Sequence, residues 1–594
     1  MNPRDLVARR WCPALCAALL LALPVAAQSV REPEVPIAWN RFYDYDGIVQ
    51  LCSQLALAHP ESCTLSYLGP SEERRPMPLL TIARDVRTAD LDSKSAMWVD
   101  GNVHGNEVQG GEAAVYLAWY LLERDGELDA ITELMEERVF YILPMVNPDG
   151  RQWWFEGPNT ASSSRSGKRP TDNDFDGELD EDGTDDLDGD GHIVMMRKQV
   201  EPGTGTYRLD PEDSRILQRV PQDKVVEWGA DYVILGQEGF DNDGDGRVNE
   251  DGPGGYDMNR NWAAGWMPRH IQYGAGDYPF SYPETAAIAR FIAAKPHIAA
   301  VQSFHNAGGM ILRGPGADTR TDYFPRADRT TYDAIAEQGE RQLPFYRSMV
   351  IYDDLYTVHG GFVDWTGETL GIISFTNELW NSRQLYSEGA DGGVDMWGDD
   401  VSNTEKQHAF DDLVMFGDTW VPWHEVEHPD YGTVEVGGFR KMSGRTPPNF
   451  MIEEMLHRNA AFCLYHASEM PELEVASVKV EDAAGGAKYV TVEIRNTKWI
   501  PTRTAVAAEK GIGPPDLATI TGPGLTVVAG GTRADRFDLT DFNAVEHEPE
   551  RLQLDRGVPG HGSERLRWIV RGQGEFTVTL STQKAGTITA TGTL

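Results

Sequence analysis

Between residues 78 and 470, short apolar runs of strand length alternate with stretches of helical period, and this alternation restricts the fold more than any other feature of the chain. Leu79–Ile82, Ala96–Val103 and Val139–Val146 read as strands, with a helix over Glu107–Glu123 between the second and the third. Pro283–Ala294 reads as a helix, Ile298–Phe304 and Gly371–Asn377 as strands, and Asn449–Ser468 as a long closing helix. Such an order predicts an α/β domain with a mixed, mostly parallel sheet flanked by helices. After Pro471 the helical period stops. Lys488–Ile494 and Phe576–Leu580 alternate with period two between Gly- and Pro-rich turns, so residues 471–594 are expected to form a small all-β, sandwich-like domain.

Upstream, residues 28–77 read as a lead-in with one helix near Tyr43–His59. Residues 1–27 carry Arg4, Arg9 and Arg10, then an apolar stretch from Ala14 to Val25, then the small residues Ala26 and Ala27. This is the pattern of a secretory signal peptide, and it predicts a secreted or periplasmic protein. No later run reaches the length needed for membrane insertion. The 93 acidic and 53 basic residues give a formal charge of −40, which argues against a nucleic-acid partner because a phosphate backbone needs a basic patch. In an oxidising compartment Cys52 and Cys63 are expected to close a short disulfide loop, with two unpaired thiols as the alternative. Cys463, in an apolar stretch, reads as core.

Two acidic inserts interrupt the α/β pattern, at 172–194 and 241–252. They share one template, D-N-D-x-D-G, repeated 69 residues apart at Asp172 and Asp241, and a partial copy begins at Asp186. Asp at positions 1, 3 and 5 with Gly at 6 is the logic of a calcium loop, which makes Asp172, Asp174 and Asp176, and Asp241, Asp243 and Asp245, candidate ligands for structural Ca²⁺. Position 12 lacks the usual Glu, and Asp182 and Asp251 at position 11 are its candidate substitutes. The plainer alternative is a pair of solvated acidic loops.

His104-Gly105-Asn106-Glu107 falls where a strand gives way to a helix, and Ile298–Phe304 ends at His305. Strand ends are where α/β sheets place their sites. Two His and one Glu are the usual ligands of a catalytic Zn²⁺ that keeps a position open for water. Asp257 suits the far nitrogen of a zinc-bound His. Asn259 and Arg260 together suit a carboxylate, the Arg through paired N–H donors. Glu378 lies in an apolar strand, where a carboxylate is expected to be paired or functional; facing an activated water it would be a general base. His424-Glu425-Val426-Glu427-His428 matches the H-E-x-x-H zinc pattern, but that motif needs a helix, and Pro422 and Pro429 flank it.

These motifs, with Asn147–Gly150 as NPDG and Tyr356–Trp365 as YTVHGGFVDW, occur in one order and resemble the zinc carboxypeptidases related to pancreatic carboxypeptidase A, over residues 78–470. The resemblance implies that His104, Glu107 and His305 bind zinc, that Asp257 orients His104, and that Asn259 and Arg260 hold the substrate's terminal carboxylate. It also implies that Tyr356 closes over the substrate and that Glu378 is the catalytic base. The family's oxyanion Arg normally lies in a Trp-Arg-Lys stretch after NPDG, and the nearest match, Met196-Arg197-Lys198, makes Arg197 the expected oxyanion residue, with Arg165 and Arg169 as competitors. Val363 matches the base of the family's side-chain pocket, and Gly316 a second position where an acidic residue can select basic substrates; neither is charged, so apolar or aromatic C-terminal residues are expected. The implied substrate is a peptide or protein with a free C-terminus. Two other readings stay open: a zinc amidase acting on cell-wall peptides or acyl-amino acids, and a calcium-dependent binding protein with an inactive peptidase domain.

Overall fold

A computed structural model describes residues 31–382, 401–534 and 541–594. The signal-peptide reading of residues 1–27 lies outside these residues. The principal sheet has eight strands: β1 (Cys63–Pro70), β2 (Pro76–Ile82), β3 (Ser95–Gly101), β4 (Arg138–Leu143), β5 (Ile298–Asn306), β6 (Met310–Arg313), β7 (Arg347–Val350) and β8 (Ile373–Leu379), in the order β1-β2-β4-β3-β5-β8-β6-β7. The run β4-β3-β5-β8 is parallel, and the flanking β1–β2, β2–β4 and β6–β8 pairs are antiparallel. Every residue of β3, β4 and β5 is buried, which explains why these strands read as continuous apolar runs rather than alternating ones.

Helices α1 (Tyr45–Ala58), α2 (Gln109–Arg124), α4 (Arg326–Gln342) and α6 (Ile452–Ser468) cover one face of the sheet, and α3 (Pro283–Ala293) and α5 (Phe362–Leu370) the other. Asp44 caps α1, its side chain accepting from Gly47 N–H at 2.8 Å. The stretch read as a lead-in therefore supplies a helix and the edge strand of the main sheet. Cys52 on α1 and Cys63 on β1 are free, buried thiols, not a disulfide; burial pushes the Cys63 thiol up to about 12. Cys463 is buried in the core, as expected.

A second, antiparallel sheet was not legible in the sequence. It joins Trp420–His428, Gly432–Phe439, Met195–Gln199, Tyr232–Gln237, Tyr207–Leu209 and Leu217–Arg219 in that order. The H-E-x-x-H pattern lies on its first strand, not on a helix: His428 is buried against the Gly239 carbonyl at 2.9 Å, and His424 pairs with Asp188 at 2.6 Å.

Residues 473–593 form a five-stranded and a four-stranded antiparallel sheet around a core that includes Val492, Trp568, Phe576 and Val578. This layer meets the main sheet where Lys584 Nζ donates to the Ile298 carbonyl at 2.9 Å. Among the described residues, no helix is long and apolar enough to cross a membrane.

Candidate active site

The parallel register sets the site. β5 and β8 pair with Glu378 opposite His305, so the two side chains leave the sheet on the same face at its C-terminal edge. β3 ends at Gly101, and the chain turns through His104 and Glu107 before α2 begins at Gln109. The turn is tight enough to require glycine at Gly105: a Cβ there would lie 2.3 Å from both the Gly150 carbonyl carbon and the Ser164 oxygen. Gly150 belongs to the NPDG motif, whose role is thus to let a helix start pack against the His104 turn. Asn147 caps that helix, accepting from Gly150 N–H at 2.8 Å.

His104, Glu107 and His305 converge, each about 2–3% exposed, with one donor atom apiece inside a 4.8 Å cluster. His104 Nδ1 and His305 Nδ1 each lie 2.9 Å from a different Glu107 oxygen. Asp257 Oδ1 lies 3.0 Å from the other His104 nitrogen, which leaves Nδ1 facing the cluster. Two imidazoles and a carboxylate, buried together with one imidazole held from behind, fit a catalytic zinc ion. Burial raises the Glu107 carboxyl, but the two imidazoles together outweigh it and hold it well below the usual range. Burial likewise raises Asp257, and Arg165, then His104, overcome it. Glu378 makes no ion pair among the described residues: burial, then the charge of Glu107, pushes it up to about 7 against the weaker pull of His305, Arg445 and Arg165.

One cavity of about 360 Å³ is lined by the three clustered residues together with Glu378, Arg165, Asn259, Arg260, Tyr356 and Val363. Asn259 Oδ1 accepts from Phe362 N–H at 2.9 Å, which fixes the side chain in the cavity wall. Arg260 donates to the Asn259 carbonyl at 2.8 Å. Tyr356 stands half exposed at the rim. Met310, Leu312, Val358, Phe362 and Val363 form an apolar wall. Gly316 is not part of it; its N–H donates to buried Asp364 at 3.0 Å, and an added Cβ would lie 2.4 Å from that carboxylate.

Arg197 must be corrected. The Met-Arg-Lys stretch that singled it out lies in the second sheet, where Arg197 is buried between the rings of Trp423 and Tyr232 and donates to Glu435 at 2.9 Å. Arg169 stacks on Tyr282 and does not line the cavity either. Arg165 does. Its carbonyl is fixed by Gly105 N–H at 2.9 Å and Asn147 Nδ2 at 3.3 Å. Its guanidinium donates to Asp257 at 2.9 and 3.1 Å and lies 3.4 Å from Glu107. The acidic insert displaced the sequence match, while the spatial position is held by the NPDG turn. Arg445, which also lines the cavity, was not anticipated, because no motif surrounds it.

The acidic inserts pair with each other. Asp251 of the second accepts from Asn173 and Asp180 N–H of the first, at 2.7 and 3.0 Å. Asp182 of the first accepts from Asn242 and Asn249 N–H of the second, at 3.3 and 2.8 Å. Each position-11 Asp thus serves the opposite loop, not its own. Asp241, Asp243 and Asp245 bring oxygens into one cluster, whereas Asp172, Asp174 and Asp176 divide between a cluster with Asp251 and another with Glu181.

The sequence profile of the zinc carboxypeptidases matches residues 48–187 and 231–390, and the chain belongs to that family. A profile described as a domain of unknown function matches 472–593. Carboxypeptidase D of Drosophila melanogaster is 25% identical over 189 residues, covering 31% of this chain and 13% of that protein. Carboxypeptidase D of Homo sapiens is 28% identical over 191 residues, covering 32% and 13%. The match thus spans about an eighth of either relative's length. The crystal structure of carboxypeptidase A from Helicoverpa armigera overlaps 73% of this chain and 75% of that one at 16% identity, with a TM-score of 0.41.

Proposed function

We propose that the protein is a secreted or periplasmic zinc metallocarboxypeptidase that removes residues from the free C-terminus of peptides or proteins. The observation that carries this reading is the convergence of His104, Glu107 and His305 in one cavity with Glu378, Arg165, Asn259 and Arg260. Zinc held by the three ligands would supply Lewis acidity at the scissile carbonyl and a water of lowered pKa. Glu378 takes a proton from the attacking water and passes it to the leaving amine. Arg165 donates to the oxygen on which negative charge develops. Asn259 and Arg260 grip the terminal carboxylate, Tyr356 folds over the bound residue, and the wall containing Val363 favours an apolar or aromatic side chain. The clamp supports an exopeptidase over an amidase, and the intact ligand set with Glu378 supports an active enzyme over a binding protein. We also propose that the paired inserts bind structural calcium, a reading supported by their oxygen clusters. The test of the metal assignment is a zinc assay: wild type is expected to hold about one zinc per chain, His305→Ala to lose it, and Glu378→Gln to keep it without turnover. Zinc and full activity retained in His305→Ala would refute the ligand set.

A further inference from the structure

Arg445 lies beyond the stretch matched by the zinc carboxypeptidase profile, which ends at residue 390, yet it is built into the cavity. Its carbonyl accepts from Gln109 Nε2 at 2.6 Å and from Asn306 Nδ2 at 3.4 Å. Its Nη2 returns a hydrogen bond to the Asn306 carbonyl at 2.9 Å and lies 3.7 Å from Glu107 Oε1. Gln109 is two residues past Glu107 and Asn306 directly follows His305, so the two ligand-bearing turns themselves hold this arginine in place. Its side chain is 36% exposed, and its remaining N–H groups donate to no described residue.

The position of Arg445 relative to the sheet gives it a meaning. Val363 and Phe362, beside Asn259 and Arg260, pack on the α5 face. Arg445 attaches at the start of α2, and Gly444 accepts from Trp380, which packs on the opposite face. A substrate with its terminal carboxylate on Arg260 and its scissile bond at the His104–Glu107–His305 cluster must continue across the sheet edge toward Arg445. The other two cavity guanidiniums are occupied: Arg165 by Asp257, and Arg260 by the carboxylate clamp proposed above.

We propose that Arg445 is a specificity residue that binds the carboxylate of an acidic residue immediately N-terminal to the cleaved bond. A half-buried guanidinium whose Nε and Nη1 have no described partner can donate a charge-assisted hydrogen bond to a substrate carboxylate. The inference rests on the carboxypeptidase reading, and the experiment separates the two. Zinc-loaded full-length protein is assayed on blocked dipeptides X-Phe with X as Glu, Gln or Lys. Wild type is expected to favour Glu over Gln by about tenfold in kcat/KM, the size of one charge-assisted hydrogen bond. Arg445→Gln should abolish that preference by raising KM for Glu-Phe to the value for Gln-Phe; Arg445→Lys should restore part of it. Zinc content and melting temperature of the variants verify folding. An equal fall in kcat on Glu and Gln substrates would overturn the proposal in favour of a general role in charge stabilisation, and an unchanged preference would overturn it outright. If wild type cleaves none of the three, the carboxypeptidase reading fails, and this inference with it.

Discussion

Replacing Arg165 and Arg197 in turn separates a catalytic arginine from a structural one. Arg165 reaches the cavity with its backbone pinned at both the His104 turn and the NPDG helix start, so Arg165→Gln removes a preorganised donor without disturbing either. Loss of one oxyanion donor costs about 10²–10³ in kcat, or roughly 3–4 kcal/mol. Asp257 also loses the partner that binds it at 2.9 and 3.1 Å, so the assay is run at saturating zinc with metal content measured alongside. Arg197→Gln loses two ring contacts, at 4.1 and 4.9 Å, and an ion pair to partly solvated Glu435. At about 0.5–2 kcal/mol per ring and about 1.5–3 kcal/mol for the hydrogen-bonded charge, and taking the low end because Glu435 keeps some water, the loss is roughly 2.5 kcal/mol of stability. Steady-state kinetics on a blocked dipeptide, with urea unfolding of each variant, should show Arg165→Gln folded but slow and Arg197→Gln less stable but near wild type in kcat. The reverse pattern would refute the assignment.

Three further outcomes follow from named contacts. Val363→Asp should move preference from C-terminal Phe toward C-terminal Arg, losing about 10–200-fold on Phe as the apolar wall is broken; steady-state comparison of the two substrates measures it, and an unaltered preference would remove Val363 from the pocket. Calcium should raise the melting temperature of calcium-stripped, zinc-loaded protein, by about 2.7 kcal/mol of stability per site at a hundredfold excess over Kd; Asp241→Asn with Asp243→Asn should shrink the shift, and no shift in wild type would leave the inserts as solvated loops. Lys584 is buried beside the Ile298 carbonyl, with Lys295, Arg503 and Asp516 lining the same cleft and His297 nearby, and burial lowers its pKa from the usual 10.5 to about 7. The unfolded chain therefore binds the extra proton between those values, so this residue's penalty is full below pH 7 and stability rises with pH above it; Lys584→Met should flatten that rise in thermal melts between pH 7 and 9.

The sequence was most legible where backbone and chemistry coincide. The strands ending at Gly101 and Asn306, the glycine-bearing His104 turn and Glu378 opposite His305 all occupy positions fixed by a parallel register, and their apolar runs announced them. What stayed hidden was long-range. Arg197 matched a local pattern, but the acidic insert had carried that pattern into another sheet; Arg165 is held by hydrogen bonds to residues 60 and 18 positions away. The exchange of Asp182 and Asp251 depends on two loops meeting, which the 69-residue repeat implied only as similarity, not as contact. Arg445 has no motif at all; only the Gln109 and Asn306 side chains mark it.

An exopeptidase that grips a free carboxyl end must tell a peptide acid from its amide. The most direct measurement is a mass-spectrometric time course of zinc-loaded protein with one peptide ending in Ala-Phe, supplied both as the free acid and as the C-terminal amide. Stepwise loss of single residues from the acid is expected, beginning with Phe, and no change in the amide, whose terminus cannot form an ion pair with Arg260. Cleavage of both forms at the same rate, cleavage at an internal bond, or no cleavage of the free acid would contradict exopeptidase action.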